Sequence, residues 1–215
     1  MAHVIATDIA PIQPTVVPPN LEVLLQHNFN REWNLPHNAF DLVFSRWNHL
    51  YITDWRMFLR QAYTALRPGG HVELHEELYG YYSDDGTYTP ETSLYHWTAW
   101  CQEAMLRFPQ REVGLTSDGV VAYLREAGFE QVVVRGYKVP VNGWPKDEKY
   151  KEIGRLNQAQ LLMMAEGGTR VLMRKAYGRE DEESMELVRM AMADVKNRAI
   201  HAYQRVYVIY GRKPE

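Results

Sequence analysis

The 215-residue chain is 46% hydrophobic and 24% charged, with a formal net charge of -3 and a pI near 6.3. That balance suits a folded protein with one filled core plus an elaboration, and it lacks the clustered basic charge that a nucleic-acid ligand demands. A lone cysteine, Cys101, excludes a disulfide framework and a cysteine-built metal site and fits a reducing, cytoplasmic setting, while no apolar run approaches the roughly 18 residues of a membrane span.

In chain order, Val4, Ile5 and Ala6 ahead of Thr7 and Asp8 predict a buried strand with an acid at its carboxyl end. PIQPTVVPPN carries four prolines in ten residues, which rules out helix and central strand. LEVLLQH is a second strand and FDLVFSRW a third. The density of Phe40, Leu42, Val43 and Phe44 predicts that the third is covered on both faces. Thr53 or Asp54 caps a helix with Trp55, Phe58, Leu59, Ala62 and Leu66 at helical spacing; RPGG stops it, and HVELHE begins a fourth strand. Strand, helix, strand alternation predicts a parallel α/β sheet.

Beyond that strand, ETSLYHWTAWCQEAMLRF predicts a helix with Leu94, Trp97, Cys101, Ala104 and Phe108 on one side. SDGVVAYLREAG predicts another, ended by Gly128, and FEQVVVRGYKV a fifth strand. Residues 140–201 predict a proline-flanked loop and about three helical stretches, with Gly167-Gly168 separating two of them. The last stretch carries acids in its first turns and bases in its last, as the helix dipole prefers. AYQRVYVIYGRKP closes the chain as a strand. A single domain over residues 1–215 is expected, with helical lid insertions at about 77–112 and 140–201, downstream of strand ends where α/β proteins build their sites.

The ordered set VIATDIAPIQPTVVPPN, FDLVFSRW, LRQAYTALRPGGHVEL, SDDGTYT, LREAGF and IHAYQRVYVIYGRKPE resembles the fungal LaeA-like branch of S-adenosylmethionine-dependent methyltransferases over essentially the whole chain. The resemblance implies a class I, Rossmann-like, mostly parallel sheet of order 3-2-1-4-5-7-6. On that pattern Val4–Thr7 is the second strand and Asp8 matches the ribose-binding acid. The first strand and the glycine loop that would cradle the rest of the cofactor have no counterpart ahead of Val4, which reads as an N-terminally truncated member. Where relatives place an aspartate near the adenine, QHNFNRE offers the neutral Asn28 or Asn30. Asp8 is then either a vestigial cofactor contact or a strand-end cap. A sheet split at the first strand needs closure, either by HVIATD pairing directly with FDLVFS or by a second copy in a homodimer.

Two strand ends converge on the site expected in this fold. SRWNHLYITDW supplies Arg46, Trp47, His49 and Tyr51, and ELHEELYGYY supplies His75, Glu76, Tyr79 and Tyr82. His49 and His75, with Arg46, are the candidate catalytic groups, because imidazole works as base near neutral pH or as a donor that polarises a carbonyl. Trp97 and Trp100 on the first insertion and Asn157 and Gln158 on the second are candidate substrate contacts, with Met163, Met164 and Met173 as an adaptable apolar wall; at helical spacing such residues also serve as core. No H-x-x-x-H or His/carboxylate helix pair is present, so no metal is expected.

These readings favour a cofactor-independent cyclase or pericyclase of Diels–Alder type acting on an apolar polyketide or terpenoid. Such a step needs a substrate folded into a reactive conformer and one or two donors on a carbonyl. An S-adenosylmethionine-dependent O- or N-methyltransferase and a LaeA-like regulatory binding protein are the alternatives.

Overall fold

A computed structural model describes residues 2–12, 14–25, 27–108, 112 and 115–215, with the side chains of Leu24, Leu25 and Tyr79 outside that description. Its elements run β1 (Val4–Asp8), β2 (Leu21–Leu25), β3 (Phe40–Arg46), α1 (Trp55–Ala65), β4 (Leu66–Tyr82), α2 (Ser93–Leu106), α3 (Ser117–Glu126), β5 (Glu130–Pro140), α4 (Glu148–Tyr177), α5 (Glu182–Lys196) and β6 (Tyr203–Arg212).

The strands form two sheets. β1 pairs in parallel with β2, and a separate four-stranded sheet has the order β3-β4-β6-β5, with β3 parallel to β4 and β6 antiparallel to both neighbours. This is the order implied by the family resemblance with its first strand left out, and the split falls where that strand would lie. The expectation that HVIATD pairs directly with FDLVFS is corrected: among the described residues β1 ladders only to β2. The segment after β2 is tied to α1 instead, with Trp33 N–H donating to Gln61 Oε1 at 2.6 Å and Trp33 packing edge-on against Phe58 at 5.2 Å. The β1–β2 pair thus has its own anchorage.

β3 is consequently an edge strand, and its expected coverage on both faces is also corrected. Leu42 and Phe44 are each 50% exposed, while Ser45 on the opposite face is buried. The covered face packs against α1 and α3 in a core of Trp55, Phe58, Leu59, Val72, Leu74, Val120, Leu124 and Ile209. α1 starts where Asp54 accepts the Met57 N–H at 2.8 Å and buries the apolar stripe expected of it. Lys213 joins the far end of α1 to the chain terminus, donating at 2.8 Å each to Asn38 Oδ1, Tyr63 O and Leu66 O.

The insertions pack on each other as a second body of core. Leu94, Val141, Ala191, Val195, Ile200 and Ala202 form one cluster and Ala165, Met173, Met185 and Val188 another, bridged by Trp97 and Met192. The three helical stretches expected over residues 140–201 are two helices, because α4 runs unbroken through Gly167-Gly168 for 30 residues. A Cβ on either glycine would meet nothing within 4 Å, and neither has positive φ. Each costs up to about 1 kcal/mol relative to alanine, a penalty that the surrounding Leu, Met, Ala, Glu and Arg and the packing on α2 and α5 override. No described helix is long and apolar enough to cross a membrane.

Candidate active site at the β3 and β4 strand ends

β3 ends at Arg46, and the chain turns through Trp47, whose φ of 60° is the left-handed region that a bulky side chain rarely adopts. The turn is held from β4. Trp47 N–H donates to His75 O at 2.9 Å, and the Glu76 Oε2 atom accepts the N–H groups of Asn48 at 2.9 Å and His49 at 3.0 Å. Ser45 Oγ donates to Glu76 Oε1 at 3.5 Å and accepts from Asn48 Nδ2 at 3.0 Å. Glu76 is fully buried, so this carboxylate has exchanged water for a ring of donors that fixes the loop.

The loop delivers the His49 ring to the same carboxylate. Nδ1 lies 3.7 Å from Glu76 Oε2, the side chain is 9% exposed, and Nε2 is buried without a hydrogen-bond partner. A second carboxylate lies within electrostatic reach: Glu77, whose pKa is pushed up chiefly by burial and drawn down by Gln204 and by His49. Next along β4, the Tyr81 hydroxyl is raised far above the phenol range by burial and by the nearby Glu77. Tyr88, beside it, is pushed up to about 12 by burial.

The other sequence candidates are placed as follows. His75 lies on the opposite face of β4 from Glu76, with Nε2 2.6 Å from Glu73 Oε1 and its ring edge-on to Phe44 at 5.0 Å. Arg46 is exposed at the strand end, in register with His75. Trp47 and Tyr51 are 44% and 59% exposed on the turn. Tyr82 has the Arg205 guanidinium 4.4 Å over its ring and stacks with Tyr203. The Tyr79 side chain lies outside the described residues.

The lid candidates are engaged within the lid. Trp97 donates from Nε1 to Thr169 Oγ1 at 3.0 Å, and Trp100 packs on Tyr177 at 5.9 Å. Gln158 Nε2 donates to Val195 O at 2.9 Å, and Asn157 Nδ2 to Pro140 O at 2.9 Å and Gln204 Oε1 at 2.8 Å. The structure therefore brings His49 and Glu76 together, adds Glu77, Gln204, Ser45 and Asn48, and gives the lid tryptophans and amides packing roles. Glu77 was legible as the second acid of HEELY; Gln204, the second residue of β6, carries no local signal.

A cavity of about 190 Å³ lined by Trp33, Leu35, His37, Gln61 and Thr64 lies by the last turn of α1, at the amino ends of the strands, and so apart from this site. Among the described residues, no three of His, Cys, Asp and Glu gather as metal ligands would.

The fit to S-adenosylmethionine is partial. Asp8 stands at the end of β1, but its Oδ1 accepts the Ala10 N–H at 2.8 Å as a strand-end cap. Asn30 is bonded at both ends of its amide, to Tyr51 O and the Thr53 N–H, and Asn28 Oδ1 accepts the Asn30 N–H.

Comparisons with known proteins agree with the geometry at the level of fold. The family described as "Methyltransferase domain" matches residues 1–74. Methyltransferase pytC of Aspergillus terreus is 29% identical over 98% of this chain and 64% of its own length. The protein named as methyltransferase tdiE of Emericella nidulans is 31% identical over 99% of this chain and 66% of its own. The secondary metabolism regulator LAE1 of Cochliobolus heterostrophus is 28% identical over 100% and 70%. The chain thus spans slightly less than two thirds of pytC and tdiE. A structure from Anabaena variabilis, named for a methyltransferase from an antibiotic biosynthesis pathway, superposes with a TM-score of 0.59 at 16% identity, covering 97% of this chain and 81% of that one. Over nearly its full length the chain is thus similar to proteins named as methyltransferases and as a secondary metabolism regulator, and it shares the methyltransferase fold.

Proposed function

We propose that the chain handles a small natural-product substrate at the β3 and β4 strand ends, with His49 as the group that donates to, or takes a proton from, the reacting oxygen. The observation that carries this reading is the buried, unpartnered Nε2 beside a fully buried Glu76. Leaving such an atom unpaired costs about 1–3 kcal/mol, which a ligand oxygen or N–H would offset. A carboxylate on the Nδ1 side favours a proton there, so Nε2 is the acceptor of the neutral ring and the donor of the cation.

The finer reading is a cofactor-independent ring closure of Diels–Alder type on an apolar polyketide or terpenoid. His49 would hydrogen-bond a carbonyl that gains electron density, and the exposed Trp47 and Tyr51 would pack against the hydrocarbon. It is supported by Asp8, whose Oδ1 already accepts the Ala10 N–H as a strand-end cap. A second reading, O- or N-methyl transfer, is supported by the relatives named as methyltransferases and by the split between β1 and β3, where a further strand would bring the cradle; His49 would then take the proton from the methyl acceptor.

Product mass separates the two. Metabolites of a fungus carrying the wild-type gene are compared with those of a His49→Ala strain, and S-adenosylmethionine is titrated calorimetrically into the 215-residue protein. Ring closure requires a precursor and product of equal mass and no micromolar cofactor binding. A product heavier by one CH2, or micromolar binding, establishes methyl transfer instead. An unchanged metabolite profile in the His49→Ala strain overturns the placement of the site.

A further inference from the structure

We propose that the outward face of α4 docks a second copy of this chain, the two α4 helices lying antiparallel about a two-fold axis that passes between Met163 and Met164. This surface lies outside the strand-end site and goes beyond the reaction assigned to it.

α4 packs by one side. Gly154, Asn157, Ala165, Thr169 and Met173 are its buried positions, turned toward α2, α5 and β5. The opposite side carries an apolar row that the chain leaves in solvent: Leu156, Met163, Met164 and Val171 are between 49% and 78% exposed. At about 100° per residue these four fall, with Gln160 and Gly167, within an arc of about 100°, and the row runs for about 24 Å along the helix. A surface helix normally keeps polar residues on that side. Single exposed apolar residues need no explanation, whereas a row of them on one face marks a contact surface.

The row is its own complement when reversed. With the axis between Met163 and Met164, Leu156 of each copy shares a layer with Val171 of the other, and Met163 shares one with Met164. The longest polar side chain in the row, Gln160, falls opposite Gly167, where the absent side chain leaves it room. One patch that matches itself under rotation is what a two-fold dimer requires.

Charge selects the direction and the occupant. Glu152 lies one turn before the row and Arg174 just after it, and both side chains are exposed. They stand on the same flank of the face. In an antiparallel pair crossing at about 20°, the same flanks of the two helices meet, so Glu152 of each copy comes beside Arg174 of the other, twice in the dimer. In a parallel pair those groups stay about 33 Å apart along the axis. Each is already held near its own helix, Glu152 by Arg155 at 3.4 Å and Arg174 by Glu180, and exposed pairs of that kind leave the charge available to a further partner. A helix of one charge sign would match one end of the row and be repelled at the other. A second α4 matches both.

Sedimentation equilibrium of the full chain across the micromolar range tests this without substrate. The wild type is expected to pass from monomer to dimer as concentration rises. Met163→Glu sets two carboxylates beside the axis and should weaken association by at least about 10-fold. Glu152→Arg and Arg174→Glu should each weaken it by about 10-fold, because every reversal acts twice in the dimer, and the double reversal should restore wild-type association. All three positions are exposed, so the variants keep the fold, which far-ultraviolet circular dichroism verifies. A wild type that stays monomeric throughout overturns the proposal and leaves the row to a different partner. A dimer that keeps its strength in Met163→Glu overturns it in favour of another interface, such as the free edge of β3. A double reversal as weak as the single ones overturns the antiparallel pairing and the proposal with it.

Discussion

Glu76 binds His49 twice over: its Oε2 atom accepts the His49 backbone N–H at 3.0 Å and lies 3.7 Å from the Nδ1 atom of the same residue. The carboxylate thus sets both the backbone and the ring orientation of one residue. His49→Ala is expected to keep the fold and to lower turnover roughly 10- to 1000-fold, the range for loss of one preorganised polar group. Glu76→Ala strands the Asn48 and His49 N–H donors as well, at about 1–3 kcal/mol each, so it should lower both stability and activity. Urea unfolding beside a turnover assay separates the two. Equal stability losses for His49→Ala and Glu76→Ala would contradict the division of labour.

Gly154 marks where α4 touches the loop after β5. A Cβ there would come within 2.0 Å of the Asn142 carbonyl oxygen and 2.6 Å of its carbon, both rigid backbone. Gly154→Ala should therefore force the helix outward and destabilise the chain by at least about 1–3 kcal/mol. Near-ultraviolet circular dichroism would register the altered packing of Trp144 and Trp97. A variant with wild-type stability and spectrum would refute the close approach.

Gly167 and Gly168 should behave oppositely, although they share the helix. Neither has positive φ, and a methyl group at either meets open space. Alanine at each position is expected to add about 0.4–1 kcal/mol by reducing the freedom of the unfolded chain. The midpoint of urea unfolding should rise with each substitution and rise further with both. A loss of stability would indicate that the helix bends at this point.

Glu77 gives the fold a signed pH dependence. Its folded carboxyl sits above the ordinary value of 4.5, chiefly through burial. Between the unfolded and folded values the native state holds a proton that the unfolded chain has released, so stability declines as pH rises through that window. Glu77→Gln removes this term. Relative to wild type, the variant should gain stability when unfolding is compared at about pH 4 and then about pH 7. A gain of the opposite sign would mean that the hydrogen bond from Gln204 outweighs burial.

Most of the architecture was legible from local pattern. Asp54 as a cap and Trp55, Phe58, Leu59 and Ala62 as one buried stripe follow from periodicity, and they set α1 on the sheet as observed. What escaped was set by tertiary context. The apolar run in β3 reads as a strand buried on both faces, yet Leu42 and Phe44 stand half exposed on one face while Ser45 on the other is buried. Gly167-Gly168 reads as a break, and packing carried the helix through it. The strand-end logic named His49 and Glu76, which the structure brings within 3.7 Å of each other. Asn157 and Gln158 read as ligand contacts, and the carbonyls that they donate to, Pro140 and Val195, are distant in sequence and so gave no local signal.

The length of β4 has a consequence for how the protein comes apart. Its 17 residues pass from Val72 and Leu74 in the sheet core to Tyr81 against the lid core, and β6, which follows Ala202 of the lid core, runs alongside in the opposite sense to Ile209 of the sheet core. A lid hung on a loop could open locally with the rest intact, as a separate unit of hydrogen exchange. Here the two hydrophobic bodies share a continuous pair of strands, so melting either one strips packing from the same ladder. Heat should unfold sheet and lid together in a single calorimetric transition, and amides along the β4–β6 pair should exchange only through global unfolding, while those at the outer turns of α4 exchange earlier.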